Sequence, residues 1–310
     1  MTNGSRRDFL RTTATASGAS ALGSLASQAA HAAQTPKMTI ARWTGEAVPE
    51  NKVDEMAAKL TRAAVEDIGG LGQFITKGAA VCVKPNIGWD RSPEQAANTN
   101  PAVVATLVKM CFDAGAKTVR VGDNSVHNPR KTYSNSRIAR AAEEAGAEVF
   151  YVDPSRFRKT DVGGERLKEI GLCPEMAESD LLISVPIAKD HSATKVTLAM
   201  KNFMGVVDDR RVFHQDLPTH IADITRYLKP RISVLDGVRI LMTSGPTGGN
   251  LSDVARADCV AVSTDIVALD AFGSELLKRN PAEVGTVVKG HETGLGRMDY
   301  KPFAKEIAVA

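Results

Sequence analysis

The feature that most constrains the fold is a repeated alternation of short, almost wholly apolar runs with longer segments of helical spacing. Strands are expected at Met38–Trp43, Ala79–Val83, Thr118–Val121, Glu148–Val152, Leu181–Val185, Ile232–Leu235 and Cys259–Ser263. Val and Ile are frequent in these runs, and several are apolar at nearly every position, the pattern of a strand covered on both faces. Between them the spacing predicts helices at Val53–Ile68, Pro101–Ala114, Asn135–Ala145, Thr194–Phe203, Thr219–Leu228 and Asp265–Lys278. Asn100-Pro101 is a helix start, and Gly115, Gly146 and Gly205 stand where helix C-caps belong. Strand–helix–strand order predicts an α/β domain: a mostly parallel sheet with helices on both faces.

Most of these strands run into polar or charged residues. Val81-Cys82-Val83 leads to Lys84-Pro85-Asn86, Val121-Gly122 to Asp123-Asn124, and Leu181–Val185 to Lys189-Asp190-His191. Val234-Leu235 leads to Asp236-Gly237, and Val260–Ser263 to Thr264-Asp265. In a parallel sheet the carboxyl ends share one edge, where ligands bind. Lysines, aspartates and a histidine from five strands are therefore expected to converge on one rim.

The segment Lys189–Gly205 is the densest. Lys189 and His191 share a face of an extended stretch. On the expected helix that follows, Thr194, Thr197 and Lys201 gather opposite an apolar face of Val196, Ala199, Met200 and Phe203. A helix amino end beside Lys and Thr favours an anion such as a phosphate or carboxylate. Asp123, Asp236 and Asp265 are candidates to hold a hard divalent cation. Helix or turn capping is the competing role, favoured for Asp265. Asp270 lies inside the last expected helix, paired with a basic residue or facing the core. His127, His214, His220 and His291 lack ligand-like spacing and read as surface or capping histidines. No Walker loop, Gly-x-Ser-x-Gly elbow, His-Glu-x-x-His or complete Gly-x-Gly-x-x-Gly occurs.

The amino terminus carries a separate message. Ser5-Arg6-Arg7-Asp8-Phe9-Leu10 precedes a stretch from Thr12 to Pro36 without Asp, Glu, Lys or Arg. That stretch is too weakly apolar for a good membrane span, and Ala30-His31-Ala32 is a small-x-small cleavage site. The segment resembles the twin-arginine export signals. Residues 1–32 are thus expected to be a signal read by the twin-arginine translocation machinery, and 33–310 a single α/β domain exported folded to the periplasm or another extracytoplasmic compartment. The whole chain has a formal charge of +3, and the signal carries Arg6, Arg7 and Arg11 against Asp8, which leaves about +1 for the rest. A near-neutral domain has no bulk electrostatic reason to bind nucleic acid or an anionic membrane. Cys82, Cys111, Cys173 and Cys259 are scattered, with no Cys-x-x-Cys. An intrinsic iron–sulfur cluster is therefore not expected.

Several motifs occur together in a familiar order. They include Val83-Lys84-Pro85-Asn86, Thr99-Asn100-Pro101, Gly122-Asp123 and Pro186-Ile187-Ala188-Lys189-Asp190-His191. Thr197–Gly205, Leu235-Asp236-Gly237, Gly245-Pro246 and Asp265–Asp270 follow. Over roughly residues 79–275 this order resembles the domain of unknown function 362 family, Lys-x-His followed by Lys-Asn-x-x-Gly being its most specific part. The family has no settled activity. Many members carry a ferredoxin-type cysteine segment, which this sequence lacks.

These readings combine into one expectation. A small anionic ligand, with a divalent metal as the candidate cofactor, binds at the carboxyl edge of the sheet and is acted on there. Lys84, Lys189 and Lys201 hold negative charge, and Asn86, Asn202, Thr194 and Thr197 complete the ligand contacts. His191 is the acid/base candidate because its ordinary pKa lies near 6.5, with Lys189 and Lys201 beside it. Asp123, Asp236 and Asp265 are the metal candidates, with orienting His191 as the alternative role of Asp123 and Asp236. Two other readings stand beside this one: a redox component partnered with a separate iron–sulfur protein, and a non-catalytic binding module.

Overall fold

The structure, a computed structural model, describes residues 37–310. The Arg6-Arg7 motif and the expected cleavage site before Ala33 lie outside the described residues. Twelve strands are present: β1 (Met38–Trp43), β2 (Ala80–Pro85), β3 (Thr118–Val121), β4 (Glu148–Val149), β5 (Arg158–Asp161), β6 (Glu169–Leu172), β7 (Leu181–Val185), β8 (Ile187–His191), β9 (Lys195–Thr197), β10 (Ser233–Leu241), β11 (Val254–Ser263) and β12 (Ala304–Val309). Strands β5 and β6 make a separate antiparallel hairpin. The others form one ten-stranded sheet in the order β12-β1-β11-β10-β7-β2-β3-β4, with β8 beside β10 and β9 paired to β8.

The sheet is mostly parallel, as the strand–helix alternation predicts. Strands β10, β7, β2, β3 and β4 run the same way. Strands β9 and β11 are the exceptions: β9 is antiparallel to β8, and β11 to both β10 and β1. The last residue of β11, Ser263, pairs with Ser233 and Met38, the first residues of β10 and β1. The end of β11 therefore lies at the opposite edge from the ends of β2, β3 and β7. Of the five polar strand ends expected on one rim, this one is elsewhere, and direction is what periodicity cannot reveal.

Alternation along the buried strands splits the core in two. Val81, Val83, Val234 and Val260 face one cluster with Leu60, Val103, Leu107 and Ile138 from the helices Val53–Asp67, Pro101–Asp113 and Ile138–Glu144. Cys82, Leu235 and Ala261 face the other, with Ile221, Ile224, Val267 and Val287 from the helices Leu217–Leu228, Ile266–Leu276 and Gly285–Glu292. This is a sheet with helices on both faces, buried on each side by hydrophobic contact. All four cysteines are buried and unbridged.

Helix signals held where capping chemistry was explicit. The Asn100 side chain accepts from Ala102 N with Pro101 at the first helical position. Gly115 and Gly146 take φ of 96° and 98° just past helix ends, a conformation only glycine adopts freely. The segment Thr194–Phe203 differs from expectation. It is a turn, then β9, then a short helix Ala199–Asn202 that tightens into a 3₁₀ turn at Phe203–Val206. Val196, Leu198 and Met200 also alternate by two, and β-branched Val196 and Thr197 favour the extended form. Pairing with β8 decides between the two periods.

Candidate functional site

The carboxyl ends of β2, β3 and β7 open onto a cavity of about 380 Å³, within the ~300–1,000 Å³ usual for small-molecule sites. Asn86 follows β2, and Asp123 and Asn124 follow β3. Strand β8, which continues the line of β7, contributes Lys189 and His191 from alternate positions, so both face the opening. Thr197 stands directly across from Lys189 in the β8–β9 pair. Lys201 and Asn202 come from the short helix, Met204 and Gly205 from the turn after it, and Arg210, His214 and Leu217 from the segment beyond.

Beneath the floor lies a buried charge pair. Lys84 is fully buried, and its Nζ donates to Asp123 Oδ1 at 2.8 Å, Asn202 Oδ1 at 2.9 Å and Pro85 O at 3.1 Å. Three acceptors satisfy the three N–H groups of an ammonium, so the charge survives burial although desolvation pushes its pKa down. The other oxygen of Asp123 accepts from Ile87 N at 2.8 Å. The Asn202 amide donates back to Lys84 O at 2.9 Å and to Ser184 Oγ at 3.1 Å. This network requires Gly205: a Cβ there would stand 1.9 Å from Asp123 Oδ1 and 2.7 Å from Lys84 Nζ. Sequence position marks Gly205 as a helix cap; close approach is its actual role.

Around the opening the balance is cationic. Lys189 is buried and donates to Ala97 O at 2.6 Å, Asn86 Oδ1 at 3.1 Å and Pro246 O at 3.3 Å. Burial, and then the Lys201 charge, push its pKa well down. Burial, and then Arg210, bring Lys201 to about 8. Arg210 donates to Ser125 O at 3.1 Å. Among the described residues Lys189, Lys201 and Arg210 have no ion-pair partner, and the one carboxylate lining the cavity, Asp123, is already paired with Lys84. Burial, and then Lys201, Lys189 and His214, push His191 down to about 3. Its Nδ1 accepts from Ala193 N at 3.1 Å, so the neutral ring carries its proton on Nε2.

Thus Lys189, His191, Lys201, Asn86, Asn202, Thr197 and Asp123 come together, with Lys84 just below. The other expected residues do not join them. Thr194 turns its hydroxyl to Val196 O at 2.9 Å and is absent from the lining. Asp236 lies inside β10, fully buried, accepting from Asn100 N at 2.7 Å and Val238 N at 3.0 Å. Asp265 is at the far sheet edge, capping the helix Ile266–Leu276 through Ala268 N at 2.9 Å and holding Arg297 N at 2.8 Å. The three candidate metal ligands therefore serve backbone N–H groups in separate places. Among the described residues no group of three or more His, Cys, Asp or Glu is placed to hold a metal ion.

The expectation of an anion at the amino end of the helix after His191 is also corrected. Asp270 occupies that place, accepting from Ala199 N at 2.6 Å and Met200 N at 3.1 Å. Trp89, Arg210 and His214 line the cavity without having been legible as site residues. His214 is thus a cavity residue rather than an ordinary surface or capping histidine. The only sequence cue for Arg210 was its closeness in the chain to Lys201–Gly205.

The fold and cavity define an α/β protein with a cation-rich recess at the carboxyl ends of its parallel strands. The chain belongs to the family described as a domain of unknown function (DUF362), which matches residues 81–275. A thylakoid-associated protein of Synechocystis is 24% identical over 243 residues, covering 76% of this chain and 74% of that protein. The lactate racemase apoprotein from Thermoanaerobacterium thermosaccharolyticum superposes with a TM-score of 0.46 at 10% identity over 79% of this chain. The matched part spans 57% of that protein. Among the described residues no helix is long and apolar enough to cross a membrane.

Proposed function

We propose that the recess binds a small anion and acts on it by proton transfer. The observation that carries this reading is the set of three cations at the opening, Lys189, Lys201 and Arg210, with no acidic partner among the described residues. Bringing cations together out of water is unfavourable unless something compensates the charge. A carboxylate or phosphate does so and gains charge-assisted hydrogen bonds.

The roles divide by protonation state. Arg210 and Lys201 hold negative charge, the Lys189 N–H groups being taken by Ala97 O, Asn86 Oδ1 and Pro246 O, and the neutral His191 offers its Nε2–H as a donor. Lys201, brought to about 8, is closest to the pH at which an amine gives and takes a proton. It therefore replaces His191 as the group that moves the proton. The Arg6-Arg7 signal, and the thylakoid association of the Synechocystis relative, favour an extracytoplasmic site of action.

The test is calorimetric titration with inorganic phosphate and with acetate. Binding that is lost in Arg210→Met is expected; no heat from phosphate or from any carboxylate tried would remove this reading. Turnover of any organic anion that binds should disappear in Lys201→Arg, which keeps the charge, while binding remains. Binding by every anion tried with no product from any of them would make the protein a non-catalytic binding module.

A further inference from the structure

The cationic side chains do not account for the whole lining. Trp89, Val126, Met204, Leu217 and Pro246 also face the cavity. The Trp89 indole is half-buried, set edge-to-face against His127 at 4.9 Å between centroids, and Lys189 Nζ lies 5.7 Å from its ring centroid. An inorganic oxyanion would satisfy the cations and leave this apolar surface wet. Sites for organic ligands combine such surface with a few convergent polar groups.

A second observation is independent of charge. Thr197 is 3% exposed and lines the cavity, yet its Oγ1 has no hydrogen-bond partner. A buried polar atom left unpaired is destabilising, and native structures retain few of them. Its place opposite Lys189 in the β8–β9 pair puts the two side chains on the same face. Thr194, by contrast, satisfies its hydroxyl within its own turn. The Thr197 hydroxyl is thus left without a partner among the described residues.

Resting on the anion-binding reading above, we infer that the ligand is an organic acid with an apolar body. One of its oxygens takes the Thr197 hydroxyl, and its carbon skeleton packs on Trp89 and Met204. The anionic group is held by Lys201 and Arg210. Trp89 and Thr197 are then the residues that set specificity.

The experiment compares acetate, hexanoate, phenylacetate and inorganic phosphate by calorimetry on the full folded chain, with Trp89→Ala, Thr197→Val and Thr197→Ser. Hexanoate or phenylacetate is expected to bind at least tenfold more tightly than acetate, and Trp89→Ala should erase that gain. Thr197→Val should weaken the better carboxylate several-fold, and Thr197→Ser should restore it. Circular dichroism of each variant separates lost binding from lost folding. Equal affinities for all three carboxylates, or phosphate binding more tightly than any, would overturn this inference and leave anion binding intact. Failure of all four to bind would overturn both.

Discussion

Lys84 Nζ and Asp123 Oδ1 meet at 2.8 Å beneath the recess, with side-chain exposures of 0% and 4%. Neither charge reaches solvent, and each depends on the other for compensation. Removing one partner strands the other in a low-dielectric interior, a loss of about 3–5 kcal/mol. Lys84→Met and Asp123→Asn should each destabilise by that order. Lys84→Met combined with Asp123→Asn should cost less than the sum of the single changes. Urea unfolding of the four proteins measures the coupling.

Gly205→Ala inserts a methyl group 1.9 Å from Asp123 Oδ1. The pair cannot relax on the side of Ile87, whose N–H holds the other carboxylate oxygen at 2.8 Å. A loss of at least ~2 kcal/mol and weakened anion binding are expected together. Thermal unfolding and calorimetry on the same preparation report both.

Lys201 links binding to pH. Its ammonium is disfavoured in the folded protein, where its pKa is brought from 10.5 to about 8. Between these values the unfolded chain holds a proton that the native one does not, so stability rises with pH across this window. The full penalty applies below about 8. Lys201→Met should therefore raise the stability of the ligand-free protein at pH 7 by roughly 1–3 kcal/mol, while weakening anion binding. Anion affinity of the unaltered protein should fall as pH rises past 8.

Asp270 works in the opposite pH direction from the usual carboxylate. Burial raises it from 3.8 to about 7. Between those values the native state binds the extra proton, so this group makes stability fall as pH rises. Asp236 acts similarly only up to about 6. Asp270→Asn should flatten the stability profile between about 6 and 7 and leave only the Asp236 share of the slope below about 6. Chemical denaturation at pH steps across this range measures it.

Much of the architecture was legible because burial on both faces leaves an unmistakable run of Val and Ile. The observed bounds of β1, β3 and β7 coincide with the apolar runs Met38–Trp43, Thr118–Val121 and Leu181–Val185. The lysines and the histidine of the recess were legible because alternate residues of a strand share a face. What could not be read was strand direction and partner choice. The reversed course of β11 carries Asp265 away from the rim, and the pairing of β9 with β8 turns an apparent helix into a hairpin. Aspartates mislead for a related reason. A carboxylate that accepts backbone N–H bonds has the same sequence signature as a metal ligand, and Asp123, Asp236, Asp265 and Asp270 all hold such bonds. Trp89 sits in a polar loop where nothing in the local pattern separates a site aromatic from a surface one.

Because Lys84 already neutralises Asp123, the mouth of the recess projects an uncompensated positive field into solvent although the domain as a whole is close to neutral. On the anion-binding reading proposed above, anions arriving by diffusion should be drawn toward it over about 8 Å at physiological ionic strength. The rate of capture should then drop as salt rises, long before the bound complex itself loosens.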